Sequence, residues 1–260
     1  MRTSTKVVQR TNSLGRLNWK RIRQELTGTN FGRTVLILSR NSPESYTPAG
    51  ERIRHIALAS ESVFGKAIIL ALGSKDARVT GKADSKVLLQ QLRLRNELPY
   101  PITAYFDPLK FMLLVMHSFF LFLRYKPSYI LASMPPLEVG VSGLFIAKLL
   151  GIDLIVDLRD NWESAVERNL CRYIPEQLLE FVFWLARRVY SSATVLMVAT
   201  PTIAEIAKKR GIETPTILVS NGADTSLFFP RDEDSRKKIR TRYALPEHKT
   251  IVLYCGSGAN

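Results

Sequence analysis

The sequence is poor in cysteine and histidine. Its 260 residues include two cysteines and three histidines. Cys171 and Cys255 lie far apart and neither belongs to a CxxC pair, so we expect neither a disulfide framework nor a zinc site. The histidines (His55, His117, His248) are scattered as well, which argues against a three-ligand metal site. Such a composition is typical of a reducing compartment, and we predict a cytoplasmic protein with no bound metal or cofactor.

A long uninterrupted apolar run is also missing. The most apolar stretch, FMLLVMHSFFLFL, has 13 residues (Phe111–Leu123), whereas a helix that spans a bilayer needs roughly 20. The stretch is either a buried helix or a helix half-sunk in a membrane surface, where Arg124 and Lys126 would meet phosphate headgroups. The first 33 residues lack the apolar segment of a secretory signal.

Acidic residues are scarce, above all near the amino terminus. The net charge is +14, and residues 1–33 hold eight Lys or Arg against a single acid, Glu25. This excess favours a polyanionic partner, although a solvated, flexible segment without a partner is the alternative. No helix-turn-helix, RRM-like or finger signature accompanies the charge, which argues against nucleic acid. We predict an anionic membrane surface as partner, with the protein either free in the cytoplasm or peripheral on the inner face of the membrane.

Short β-type runs alternate with helical patterns over residues 34–230. The β-type runs lie at 34–38, 66–72, 128–133, 153–158, 193–200 and 215–222, with a further candidate at 101–106. Residues 73–99 are polar, and we expect the first part of this segment to be irregular and the second part to be partly helical. One helix is expected to start at Pro135–Pro136 and to end at Gly151. The alternation predicts an α/β fold, a Rossmann-like doubly wound parallel sheet.

The character of the chain changes after Pro230. Residues 231–249 are highly charged and typical of a helix with a linker, and IVLYCGSGAN then begins as a new strand with a Gly-containing turn. We therefore predict three parts: a basic, flexible segment (1–33), a Rossmann-like domain (34–230), and a linker helix with the first strand of a second Rossmann-like domain (231–260).

Charged side chains follow the strand at 153–158, in DLIVDLRDNWESAV. Ligands of doubly wound sheets bind beyond the carboxyl ends of the strands. Arg159, Asp160 and Asn161 are therefore candidates for binding phosphates or hydroxyls, unless they pair with one another and cap the next helix. Trp162 is either a stacking wall or a core residue. We expect Asp157 to be a buried, hydrogen-bonded acid.

Two further sites follow from local chemistry. Gly50 and Arg52 lie at the amino end of the first helix, where N–H groups and the helix dipole favour an anion. Asn221 and Gly222 form an Asn-Gly pair, which is a strong turn signal.

Four segments carry a resemblance to a known family. SMPPLEVGVSGLFIAKLLGIDLIVDLRDNWESAV, ATPTIAEIAKKRGI, VSNGADTSLFFP and IVLYCGSGA, in this order, resemble segments of glycosyltransferase family four, which has the GT-B fold. The resemblance covers roughly residues 34–260. It implies an acceptor-binding Rossmann domain that ends as a donor-binding domain begins. It also implies transfer of a sugar from a nucleotide-sugar to a hydroxyl of a polysaccharide or a lipid-linked glycan.

The resemblance also suggests which residues form the site, although it assigns no catalytic residue. The acceptor-binding set is Ser133, Arg159, Asp160, Asn161 and Trp162. The phosphate-side set is Gly50, Arg52 and Gly256, and the interdomain turn is Asn221, Gly222 and Asp224. Ala49 replaces one glycine of a Gly-Gly pair that is common in the family.

The paired-glutamate region of the family's donor domain is not among the 260 residues. We therefore expect an acceptor-side domain that is either truncated or works with a separate donor-binding subunit. The alternative is a non-catalytic, membrane-associated Rossmann-like binding module.

Overall fold

The described chain is built on seven strands. The computed structural model describes residues 33–43, 47–73, 87–93, 107–170, 175–223, 225–226 and 228–253. The strands are β1 (Arg33–Ser39), β2 (Gly65–Gly73), β3 (Val87–Arg93), β4 (Tyr129–Met134), β5 (Asp153–Leu158), β6 (Val195–Val198) and β7 (Thr216–Leu218). They form one parallel sheet in the order β3-β2-β1-β4-β5-β6-β7. The predicted Rossmann-like α/β fold is confirmed.

Helices connect the strands and cover the sheet. The described helices are α1 (Pro48–Phe64), α2 (Pro108–Tyr125), α3 (Leu137–Leu150), α4 (Trp162–Leu170), α5 (Glu176–Ser192), α6 (Pro201–Lys209) and α7 (Glu233–Arg242). Helix α3 begins after Pro136 and ends at Gly151, whose φ of 66° is the left-handed conformation that favours glycine. Both ends agree with the sequence-based prediction.

Side chains alternate between two hydrophobic cores, one on each face of the sheet. Leu36 and Leu38 of β1 belong to the core beneath α2, α3 and α5. Val35 and Ile37 belong to the core beneath α1. Both cores are buried from water, so the sheet is covered on both faces, as parallel sheets require.

Strand β3 corrects the prediction for residues 73–99, whose second part was expected to be helical. Residues 87–93 instead pair with β2, from Ala67 opposite Val87 to Gly73 opposite Arg93. Leu88 packs on one core and Leu89 on the other. Packing on both faces and the hydrogen bonds to β2 outweigh the local helix preference of Leu and Gln. The candidate strand at 101–106 lies outside the described residues.

The chain divides into two compact units, which meet in sequence at Ser220–Asn221. The first unit contains the sheet. In the second unit, α7 lies in the segment for which we expected a charged linker helix. Residues 250–253 do not form a strand, and Val252 is 92% exposed. Residues 254–260 lie outside the described part of the chain.

Helix α3 lies unusually close to the sheet at Gly143. A Cβ atom there would lie 2.9 Å from the Cβ of Ala132 and 3.2 Å from Cδ1 of Leu154. The Cβ of Ala132 is bonded to the backbone of β4 and cannot swing away. The close approach of α3 to β4 and β5 therefore depends on glycine at this position.

We predict that Gly143→Val lowers the free energy of unfolding by about 2 kcal/mol, because α3 has to move away from the strands. Lys148→Val is the matched control, since Lys148 lies on the same helix but is exposed. It should cost less than about 0.7 kcal/mol. Urea unfolding measures both, and equal losses for the two variants would contradict the close approach.

Candidate functional site

The direction of chain progression reverses between β1 and β4. The chain runs from β1 outward to β2 and β3, then returns to β4 on the other side of β1. Helix α1 covers one face of the sheet and α3 covers the other. In doubly wound sheets the ligand crevice lies at such a switch point, beyond the carboxyl ends of the strands.

A buried ion pair lies at this edge. Arg52 on α1 donates to Asp157 on β5 from Nη2, at 2.7 Å to Oδ1, and from Nε, at 3.1 Å to Oδ1 and 3.2 Å to Oδ2. Its Nη1 donates to the carbonyl of Val219 at 2.7 Å. Ser133 on β4 donates its hydroxyl to Asp157 Oδ2 at 3.0 Å. All three side chains are buried, which confirms the expected role of Asp157.

Three predicted site residues have hydrogen-bond partners within the protein. The guanidinium of Arg52 and the hydroxyl of Ser133 point to Asp157 within the protein. The N–H of Gly50 donates to the side chain of Thr47, the N-cap of α1, at 3.1 Å. The roles of these residues toward a phosphate or an acceptor stay predictions.

Arg159 ties the end of β5 to the end of β4. Its backbone N–H and its Nε each donate to the carbonyl of Met134 at 3.2 Å, and its Nη2 donates to the carbonyl of Pro135. Burial lowers the pKa of Arg159, while the charges of Asp157 and Asp160 act in the opposite direction. The guanidinium thus sets the shape of the loop at the crevice.

Asp160 is the exposed acid of this loop. The backbone N–H of Trp162 donates to its carboxylate, and partial desolvation raises its pKa in spite of neighbouring Arg159. The Trp162 side chain is buried, and its Nε1 donates to the hydroxyl of Tyr190 at 2.9 Å. Asp160 therefore remains open to a ligand, while Trp162 is fixed in the core.

A polar cluster continues from the loop toward α6. Glu163 and Arg210 form an ion pair at 3.0 Å between Oε2 and Nη1. Burial, reinforced by the Glu163 charge, raises the pKa of Tyr190 well above its ordinary value. Asn161 donates to the hydroxyl of Ser164 at 2.8 Å. Its Oδ1 is buried and has no hydrogen-bond partner among the described residues.

These groups line a shallow depression at the edge of the sheet. The sequence left open whether the charged groups pair with one another or open into a site. The structure shows that backbone carbonyls hold Arg159, and the binding of a ligand by this loop stays a prediction. Arg159 and Trp162 are held by the protein, whereas Asp160 and Asn161 are among the residues that line the depression.

The remaining predicted residues lie elsewhere. Asn221 and Gly222 are exposed at the start of the second unit. Asp224 and Gly256 lie outside the described residues. Within the described part of the chain, no group of three or more His, Cys, Asp or Glu side chains could hold a metal ion.

Glu138 is a residue of this edge that sequence reasoning missed. It lies in the first turn of α3 and is 2% exposed. Its Oε2 has no hydrogen-bond partner among the described residues. Burial raises its pKa from 4.5 to about 7, against the opposing charges of Arg40 and Lys110 and with a small contribution from Asp107. A carboxyl group of this kind gains or loses a proton near neutral pH.

The signal for Glu138 was present in the sequence. It is the only charged residue between Pro135 and Ala147, in PPLEVGVSGLFIA. A lone acid among residues that pack on a sheet is either exposed or buried with a shifted pKa. Only the position of α3 on the sheet decides between the two.

We predict that Arg52→Met lowers the free energy of unfolding by about 3–5 kcal/mol, because it leaves the buried Asp157 carboxylate without its ionic partner. Arg54→Met is the matched control on the same helix, where Arg54 forms an exposed pair with Glu51 at 2.7 Å. The control should cost less than about 1 kcal/mol. If urea unfolding shows similar losses for both, the buried pair does not hold this edge together.

We also predict that Glu138→Gln stabilises the protein at neutral pH. The native state binds the Glu138 proton more tightly than the unfolded state does, so its contribution to stability is lost as pH rises from 4.5 to about 7. Over this pH range the free energy of unfolding of the wild type should fall by about 3 kcal/mol relative to that of the variant.

Chemical unfolding at about pH 4.5 and about pH 8 measures the difference. Glu205→Gln, at an exposed position on α6, is the control. The difference in the free energy of unfolding between this variant and the wild type should change by less than about 0.5 kcal/mol between the two pH values. A pH-independent difference for Glu138→Gln would contradict the raised pKa.

No protein-family model and no curated protein matches this sequence. Solved structures do. A sucrose-phosphate synthase from Thermosynechococcus elongatus matches with a TM-score of 0.57 and 16% identity, over 82% of this chain and 53% of that chain. A second structure of that synthase matches with a TM-score of 0.51 and 10% identity, over 82% of this chain and 98% of that chain.

A UGT transferase from Siraitia grosvenorii, in complex with UDP, has a TM-score of 0.47 and 11% identity, over 81% of this chain and 55% of that chain. The chain thus spans about half the length of the first synthase structure. At these identities the likeness concerns the fold. The chain has an α/β, Rossmann-like fold of the kind that forms half of a GT-B glycosyltransferase.

Proposed function

We propose that this chain is the acceptor-side half of a glycosyltransferase of family four. In this proposal it positions a hydroxyl group of a polysaccharide or lipid-linked glycan for transfer of a sugar from a nucleotide-sugar. The observation that carries the proposal is the likeness of its sheet to the sucrose-phosphate synthase over 82% of the chain. The open acid at the carboxyl edge, where this fold binds ligands, is in keeping with it.

Asp160 is the residue that we assign to the acceptor. Asp160 is exposed and lines the depression after β5, and an ionised carboxylate accepts hydrogen bonds from sugar hydroxyls. Arg159 holds the loop through the carbonyls of Met134 and Pro135. Asn161 lines the depression beside Asp160.

In this proposal the donor is a nucleotide-sugar, which is held by a donor-binding half. Charge that develops on a departing diphosphate has to be met by cations or helix amino termini. Arg52, the cation at the amino end of α1, is already committed to Asp157 and Val219. This commitment favours diphosphate binding by the donor half. We propose that the reaction takes place in the cytoplasm, and the two isolated cysteines are in keeping with a reducing compartment.

The proposal predicts that the chain restores sugar transfer to membranes from cells in which its gene is deleted. Such membranes supply the acceptor and the donor half. We would add the purified chain with isotope-labelled UDP-, GDP- or ADP-sugars and measure label in extracted glycans and lipids by mass spectrometry. Label should appear with one donor class when the chain is present.

Asp160→Asn should lower the incorporation about tenfold or more, because a hydrogen bond to a charged group contributes about 1.5–3 kcal/mol. Asp153→Asn is the matched control. Asp153 begins the same strand at the opposite edge and accepts a hydrogen bond from Thr194 at 2.8 Å. Absence of label with every donor, or equal activity of the two variants, would overturn the proposal.

A further inference from the structure

Large apolar side chains face outward on α2, α3 and α5. On α2, Met112, Met116 and Phe120 recur every four residues and are 65%, 47% and 61% exposed. This spacing places them on one side of the helix. Leu149 of α3 and Phe181 and Trp184 of α5 are about half exposed as well. We call this surface the three-helix face.

The three helices form one layer. Their inner sides pack on the same core. Helix α3 contacts α2 on one side and α5 on the other. The rings of Phe111 and Phe145 meet edge to face at 6.2 Å between α2 and α3, and those of Phe181 and Trp184 stack at 5.9 Å on α5. The layer therefore exposes large apolar side chains on three adjacent helices, which is more than the scattered exposure that is normal for soluble proteins.

Positive charge gathers at one end of this layer. Each helix returns antiparallel to the parallel strands, so the three helices end at the same edge. Exposed cations lie in the last turn of α2 and α3 or just after α2, at Arg124, Lys126 and Lys148, and about one turn before the end of α5, at Arg187 and Arg188. The sequence of α2 contains no acid, and the exposed acids of α5 are in its first half, at Glu176 and Glu180.

Two of these cations lie against aromatic rings. The guanidinium of Arg188 is 5.3 Å from the centre of the Trp184 ring, and that of Arg124 is 5.4 Å from the Tyr125 ring. Aromatic rings beside long cationic side chains are typical of the zone between lipid headgroups and acyl chains. The basic residues of the segment 1–33 add charge of the same sign.

We propose that the three-helix face docks flat on an anionic lipid bilayer. The apolar side chains enter the boundary between headgroups and acyl chains, and the cationic edge binds the phosphates. The proposal does not rest on sugar transfer, since it concerns a surface away from the carboxyl edge of the sheet.

Helix α2 lies in the membrane plane in this arrangement. Among the described residues, α2 alone is long and apolar enough to cross a membrane by length and composition. However, Leu114, Ser118 and Leu121 are buried on its inner side, and the hydroxyl of Ser142 on α3 donates to the carbonyl of Phe111 at 3.4 Å. Spanning would require α2 to leave this core, whereas docking keeps every one of these contacts.

Flotation of the purified chain with vesicles tests the proposal, without donor or acceptor present. The chain should bind vesicles of phosphatidylcholine mixed with phosphatidylglycerol, and bind phosphatidylcholine alone more weakly. Phe120→Gln on α2 and Trp184→Gln on α5 should each weaken binding about tenfold, because each removes a large apolar side chain from the membrane. Exposed positions keep these variants folded, which thermal melting checks.

Leu58→Gln is the matched control, because Leu58 is 43% exposed on α1, on the other side of the sheet. It should bind as the wild type does. Arg124→Gln combined with Lys148→Gln should weaken binding to the mixed vesicles and leave binding to neutral vesicles unchanged, whereas Arg54→Gln on α1 should change neither.

Three results would overturn the proposal. Wild-type binding by both apolar variants would assign membrane contact to the basic segment 1–33. If Phe120→Gln loses binding and Trp184→Gln does not, the membrane contact involves α2 only and not the three-helix face. If the chain does not bind vesicles but sediments as a dimer, and Trp184→Gln dissociates this dimer, then the three-helix face binds a second copy of the chain.

Discussion

The buried pair of Arg52 and Asp157 is the interaction on which the carboxyl edge of the sheet depends. It joins α1 to β5. Through Ser133 it reaches β4, and through the carbonyl of Val219 it reaches the segment after β7. A charged group that is buried away from water needs hydrogen-bond partners for nearly all of its donors or acceptors. Each of these elements is therefore held in one position relative to the others, and the crevice has a defined shape.

This constraint separates the polar residues of the edge into two groups. Arg52, Asp157 and Arg159 satisfy one another or backbone carbonyls, and they stabilise the loops. Asp160 stays exposed beside them, and Glu138 is buried with an oxygen that has no partner among the described residues. The first group makes the edge rigid and so fixes the positions of Asp160 and Glu138.

The fold also separates the two surfaces to which we assign functions. The carboxyl ends of the strands and the amino ends of α2, α3 and α5 share one edge, where Asp107 and Glu138 lie. The cations of the three-helix face lie at the opposite edge. A chain docked on this face would keep its crevice at the rim of the contact, within reach of a glycan that a lipid anchors to the same membrane.

The sequence by itself determined the alternation of strands and helices, the buried role of Asp157 and the ends of α3, because these follow from local periodicity, from Pro135–Pro136 and from Gly151. It also placed Arg159 and Asp160 at a strand end. Only the tertiary structure decided that residues 87–93 form a strand, that Arg52 turns inward and that Glu138 is buried. It alone showed that an apolar surface extends over three helices. The physical reason is sequence distance: Arg52 and Asp157 are 105 residues apart, and no local pattern encodes which distant groups will share a space without water.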